Sequence, residues 1–257
     1  MEINRPITIT IASGKGGVGK SVLTANLANM LARSHRVLVW DANMNFPNQH
    51  LLMGVEPPVR MSDVYAGHVS VEDAMFRVRK NFRLLADLPA SGRHEDFEPQ
   101  EIRKIYNEIL AFTEMDFILI DTPAGASDEV IECCRLADFV NVVITDEPTS
   151  LIDAYALIKI LLGMTPPERI RMLVNNVIDM EDADEISTKL NLATGKFLGL
   201  ELDLVGFVPY DRVVRQSIIR QELLTETDPA SEVSVSIEKI ADKLTSMIAV
   251  TEKQYLA

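Results

Sequence analysis

The run Ile11-Ala12-Ser13-Gly14-Lys15-Gly16-Gly17-Val18-Gly19-Lys20-Ser21 limits what this chain can fold into more tightly than any other segment. It meets the spacing G-x-x-x-x-G-K-[ST] through Gly14, Gly19, Lys20 and Ser21. Before it lies a β-branched stretch, 7–12. After it Leu23, Leu27, Met30 and Leu31 recur at helical spacing. A strand, a glycine turn and a helix in that order build a phosphate cradle. The backbone N–H groups of Gly16, Gly17, Val18 and Gly19 are free to curl round phosphate oxygens, and the helix N-terminus adds partial positive charge. Lys20 is expected to reach the β- and γ-phosphates and the Ser21 hydroxyl to bind Mg2+. The predicted ligand is therefore a nucleoside triphosphate with Mg2+.

Strands and helices alternate along the rest of the chain, the signature of a mostly parallel sheet covered by helices on both faces. Strands are expected at 36–40, 82–88, 117–120, 139–145, 170–174 and 202–208. Helices are expected from Pro99, from Ser127 to Arg135, from about Ser150 to Gly163, from Asp182 to Leu192, from Asp211 to Arg220, and from Pro229 to about Val250 with Asp228 as cap. Ser70-Val71-Glu72-Asp73 reads as a capping box opening a short helix, 41–58 as irregular, and Pro89-Ala90-Ser91-Gly92 as a turn. With 257 residues, 47% of them hydrophobic, and no repeat or linker, one α/β domain spanning 1–257 is expected.

Charge and cysteine content exclude several function classes. A formal net charge of −13 argues against nonspecific DNA binding, which needs lysines and arginines to displace counterions. The cluster Arg77, Arg79, Lys80 and Arg83 is expected to be a solvated helix edge. Cys133 and Cys134 are adjacent, which implies buried free thiols rather than a disulfide. The four histidines are too dispersed for a metal site and are expected at the surface. Neither a signal-peptide core nor a run of about 20 apolar residues occurs, so a cytoplasmic location is expected.

Remaining polar signals collect where strands end, the usual ligand edge of such sheets. Asp121 closes an apolar strand and is the expected water-mediated Mg2+ ligand, with Gly125 allowing the following loop to respond to the γ-phosphate. Asp41, expected to stay ionised, reads either as a second partner for Mg2+ or as a cap. Asn175-Asn176-Val177-Ile178-Asp179 echoes a guanine signature but has Val177 where that signature needs lysine.

Lys15 turns K-G-G-x-G-K-[ST] into a motif that resembles the deviant Walker A loop of the MinD/ParA group, within the SIMIBI class of single-domain P-loop NTPases. The resemblance implies that Lys15 crosses a dimer interface to the partner's phosphates and that ATP holds two subunits together. A cation aimed at charge developing in phosphoryl transfer makes hydrolysis wait for dimerisation. It also implies catalytic roles for Lys15, Lys20, Asp41 and the position of Asn43, where relatives carry an aspartate that orients the attacking water. An amide can position water but cannot accept its proton, so a slow ATPase is expected. For the base, the resemblance points to Asn175 at the adenine edge with Pro209 and Asp211 completing the pocket; a structural turn role for Asn175 is the competing reading.

The segments Asp146 to Lys159, Phe197 to Leu200 and Gly206 to Asp211 are similar to FlhG (FleN) proteins. That subfamily implies control of flagellar number or placement, and a protein partner such as an FlhF-like GTPase, a flagellar regulator or a basal-body component. The chain opens only a few residues before its first strand, so activation of such a GTPase by an N-terminal extension is not expected. The stripe Val235, Ile237, Ile240, Ala241, Leu244 and Ile248 is expected to be core. Weak peripheral contact with the inner face of the membrane is the alternative. A ParA-like partition ATPase and a hydrolysis-impaired ATP-dependent adaptor are the other functional readings.

Overall fold

A computed structural model describes residues 5–88 and 98–255, with side chains placed through 246. In chain order the elements are β1 (Ile7–Ala12), α1 (Lys20–Leu31), β2 (Val37–Asp41), α2 (Gln49–Leu52), α3 (Met61–Tyr65), α4 (Val71–Ala74), β3 (Phe76–Arg79), β4 (Phe82–Leu85), α5 (Pro99–Leu110) and β5 (Phe117–Asp121). They continue with α6 (Asp128–Leu136), β6 (Phe139–Ile144), α7 (Pro148–Leu161), β7 (Ile170–Val177), α8 (Met180–Leu198), β8 (Asp203–Pro209), α9 (Arg212–Arg220), α10 (Leu224–Thr227) and α11 (Glu232–Tyr255). One eight-stranded sheet has the order β3-β4-β2-β5-β1-β6-β7-β8, and only β3 runs antiparallel to its neighbour.

Alternation along each strand sends side chains to two different cores. Ile9, Ile11, Val39, Leu119 and Leu173 pack beneath α1 and α11. On the opposite face Leu38, Trp40, Ile118 and Ile120 meet α5, while Val140, Val142, Met172 and Val174 meet α7 and α8. Being covered on both sides is why β2 and β5 are apolar up to their terminal aspartates rather than alternating, while β1 seats Thr8 and Thr10 in hydrogen bonds to Asp138 and the Cys133 carbonyl.

Local signals set many boundaries. Ser70 caps α4 by accepting the Asp73 N–H at 3.1 Å. Glu98 and Glu101 form the capping box of α5, with Pro99 in its first turn. Asp179 caps α8 and Asp211 caps α9.

Several expectations are corrected. Segment 41–58 is not wholly irregular, because Gln49–Leu52 is a single helical turn, too short to leave a periodic trace. The basic cluster is not on a helix: Arg77, Arg79 and Arg83 belong to the β3–β4 hairpin at the sheet edge, where Arg79 pairs with Glu226. The last helix starts at Glu232 instead of Pro229, since Ser231 and Ser234 hydroxyls bond the Asp228 carbonyl and hold that stretch as a turn. α8 runs to Leu198, six residues past the expected end, and stops where Gly199 takes φ 66°. His50 is buried, not a surface residue. The expected turn at Pro89–Gly92 and the side chain of Ile248 lie outside the described residues. Cys133 and Cys134 are free and buried, as expected.

Candidate functional site

The carboxyl ends of β1, β2, β5, β7 and β8 open onto a cavity of about 950 Å3. Of the predicted residues, Gly16, Gly17, Gly19, Lys20, Ser21, Asn43, Asn175, Pro209 and Asp211 line it. The phosphate-binding loop occupies one end. Gly17 (φ 81°) and Gly19 (φ 92°) use left-handed backbone that a side chain would strain. Gly19 is further constrained from outside, because a Cβ there would lie 2.3 Å from Asn175 Nδ2.

Three of the predicted loop residues, Gly14, Lys15 and Val18, do not line the cavity. Gly14 is pressed against α7, where a Cβ would sit 2.3 Å from the Asp153 carbonyl oxygen, so its glycine requirement is one of packing and not of phosphate contact. Val18 is buried in the core beneath α1, and its carbonyl accepts the Asn175 amide at 2.7 Å. Asn175 therefore braces the loop, the structural role weighed against base recognition, while still facing the cavity.

Lys20 is buried and donates from Nζ to Ser13 Oγ at 2.8 Å; burial lowers its pKa, against the raising influence of Asp121. Lys15 points elsewhere. Its Nζ pairs with Glu147 and donates to Thr149 Oγ1 at 2.9 Å, both at the start of α7, so it does not reach the phosphate end of its own subunit's cavity.

Asp41 and Asp121 lie opposite each other in the β2–β5 register and are both fully buried. Asp41 accepts the N–H groups of Asn43 (3.2 Å), Asn48 (2.9 Å) and Gln49 (3.0 Å). Burial, reinforced by the neighbouring Asp121 charge, outweighs these donors and pushes its carboxyl up to about 8. In the metal-free chain this favours the protonated carboxyl, where the sequence leads one to expect an ionised Asp41. Asp121 is raised by burial too, against the lowering effect of Ser21, Gln49 and Lys20.

Sequence reasoning missed Gln49. Its side chain is fully buried and donates from Nε2 to Asp121 Oδ2 at 2.7 Å and to the Ser21 carbonyl at 3.1 Å. Only its place eight residues after Asp41, at the end of a loop of asparagines, could have drawn attention to it.

The residues fit a nucleotide with Mg2+. Asp121 Oδ1 is buried without a hydrogen-bond partner, and a bare carboxylate oxygen beside Ser21 and Lys20 suits a hard, oxygen-seeking cation. Two clustered carboxyls also make a stability prediction. A carboxyl whose pKa is raised on folding binds its proton more tightly in the folded state, so nucleotide-free protein should lose stability as pH rises from about 4 toward 8. Asp121→Asn keeps an acceptor for Gln49 and removes the charge facing Asp41. It is expected to raise the melting temperature at pH 8 by several degrees, at roughly 2–4 °C per kcal/mol, and to flatten the decline between pH 5.5 and 8. Thermal melts in EDTA across that range check it.

The ParA family profile, described as NUBPL iron-transfer P-loop NTPase, matches residues 5–245. The antiactivator FleN of Pseudomonas aeruginosa is 33% identical over 246 residues, covering 93% of this chain and 86% of that protein. The flagellum site-determining protein YlxH of Helicobacter pylori is 25% identical, covering 93% and 82%. Among solved structures, the MinC:MinD cell division protein complex of Aquifex aeolicus matches with a TM-score of 0.76 at 26% identity, covering 93% of this chain and 96% of that one.

Proposed function

This chain belongs to the ParA family of P-loop NTPases, and we propose that it is an ATP-switched homodimer that hydrolyses ATP slowly and recruits, in its ATP state, a protein governing flagellar number or placement. The observation that carries the reading is Lys15, a cation on the phosphate-binding loop that is turned away from its own cavity toward Glu147 and Thr149. A loop lysine so placed is available to a second subunit once an attractive triphosphate faces it. Exposed apolar side chains follow the carboxyl ends of the strands: Phe46 in the loop after β2 and Ile178 after β7, with Tyr210 after β8 and Ile219 on α9 lining the cavity itself. Exposed apolar side chains at this edge suit an interface between copies.

Within each subunit, Lys20 and the loop N–H groups hold the phosphates, Asn175 braces the loop from behind, and Asn43 faces the cavity where water must be oriented. Ser21 and Asp121 would hold Mg2+, which would supply charge neutralisation to the phosphates. Asn43 lacks a carboxylate to take the proton from water, which makes hydrolysis slow and the ATP state long-lived. The flagellar role rests on similarity to FleN and YlxH, and a partner seated on the dimer on the MinC:MinD complex. The iron-transfer role named by the family description is not carried over, because both cysteines are buried on α6. Among the described residues no helix is long and apolar enough to cross a membrane. Location in the cytoplasm, with contact at the membrane's inner face, is part of the proposal.

Light scattering after size exclusion is the test. A monomer with ADP–Mg2+, a dimer with ATP–Mg2+ and a monomer for Lys15→Ala in both are expected. A wild type that stays monomeric at saturating ATP, or a Lys15→Ala variant that still pairs, would overturn the reading. A second reading, an ATP-bound adaptor without turnover, is favoured by Asn43 and would be distinguished by dimerisation with no detectable phosphate release.

A further inference from the structure

The four acceptor atoms Asn45 Oδ1, Asn48 Oδ1, Gln49 Oε1 and Asp121 Oδ1 are buried and lack hydrogen-bond partners. Two of them come from the loop between β2 and α2, Gln49 opens α2, and the fourth is the expected Mg2+ carboxylate. Buried polar atoms are nearly always satisfied, and Asn48 lines the cavity while Gln49 is bonded to Asp121, so open acceptors beside the Mg2+ carboxylate point to a donor supplied by a ligand. Hydrated Mg2+ is such a donor, since it retains several waters whose hydrogens need acceptors.

Gln49 stands at the centre of this arrangement. Its backbone N–H binds Asp41 at 3.0 Å, and its side chain binds Asp121 Oδ2 at 2.7 Å and the Ser21 carbonyl at 3.1 Å. One residue thus ties the post-β2 loop, the β5 carboxylate and the first turn of α1 together. With Oδ2 held, Oδ1 is the Asp121 oxygen left for the metal, and Gln49 Oε1 is left as an acceptor for water. Resting on the nucleotide-switch reading above, we propose that Gln49 is a positioning residue for Mg2+: it orients Asp121 from the start of α2, so that occupancy of the metal site and the conformation of the loop between β2 and α2 are coupled. Partners that orient a metal ligand typically contribute about 10–100-fold in metal affinity.

The test is a Mg2+ titration of ADP binding to the full chain, with a fluorescent ADP analogue as the reporter. Gln49→Met preserves side-chain length without the hydrogen bonds; Gln49→Glu retains an oxygen but sets a charge against Asp121. Gln49→Met is expected to raise the half-saturating Mg2+ concentration by about 10-fold or more while leaving ADP affinity in EDTA within about twofold of wild type. Gln49→Glu should also raise it, because the Nε2 donor that holds Asp121 Oδ2 is lost. An unchanged Mg2+ midpoint in Gln49→Met overturns the proposal. So does an equal loss of ADP affinity with and without Mg2+, which assigns Gln49 a role in folding alone. Wild-type ADP binding that ignores Mg2+ would instead count against the nucleotide-switch reading itself.

Discussion

Asn43→Asp is expected to raise steady-state phosphate release by about 10²-fold, the lower end of what a general base contributes, because phosphoryl transfer depends chiefly on positioning and electrostatics. The structure makes this substitution a local one. Residue 43 already faces the cavity, and its position is fixed by a main-chain bond to Asp41 Oδ1 that does not involve its side chain. Exchanging the amide for a carboxylate therefore adds a proton acceptor without moving the loop. The ATP dimer should shorten its lifetime in proportion, since hydrolysis ends the state that holds two subunits together. Phosphate release and dimer lifetime measured on the same samples check both halves. A rate that does not change would mean that water positioning by an amide already suffices.

Gly19→Ala carries the second large effect. The φ of 92° costs a non-glycine residue about 1–2 kcal/mol or more, and the new methyl would overlap Asn175 Nδ2. Relief requires Asn175 to abandon the Val18 carbonyl, which leaves that acceptor buried and releases the loop from β7. Nucleotide affinity is expected to fall by more than about 100-fold, the equivalent of roughly 3 kcal/mol, with a lower melting temperature in the absence of ligand. Asn175→Ala is the control that separates the two causes: it removes the overlap but not the backbone strain. If Gly19→Ala combined with Asn175→Ala binds as well as Asn175→Ala alone, the strain is negligible and the close approach accounts for the whole loss.

The contrast between Lys20 and Gln49 shows what could be read without coordinates. Lys20 belongs to a local pattern in which every residue's job follows from the turn it makes, so nearness in sequence is nearness in space. Gln49 acts on Asp121, 72 residues away, and that encounter exists only because β2 and β5 are neighbours in the sheet with Asp41 beside Asp121.

By itself the sequence determined the alternating α/β architecture, the strand–loop–helix cradle, the Asp121 strand end and the cap at Ser70, since apolar periodicity and backbone hydrogen-bond demand are local physics. The tertiary structure decided which way Lys15 points, that Gly14 serves α7, that Asn175 braces the loop, and that burial, reinforced by a second carboxyl, pushes the Asp41 pKa upward. Each of these depends on burial and on partners far along the chain, and desolvation and long-range contact leave no periodic trace in a string of residues.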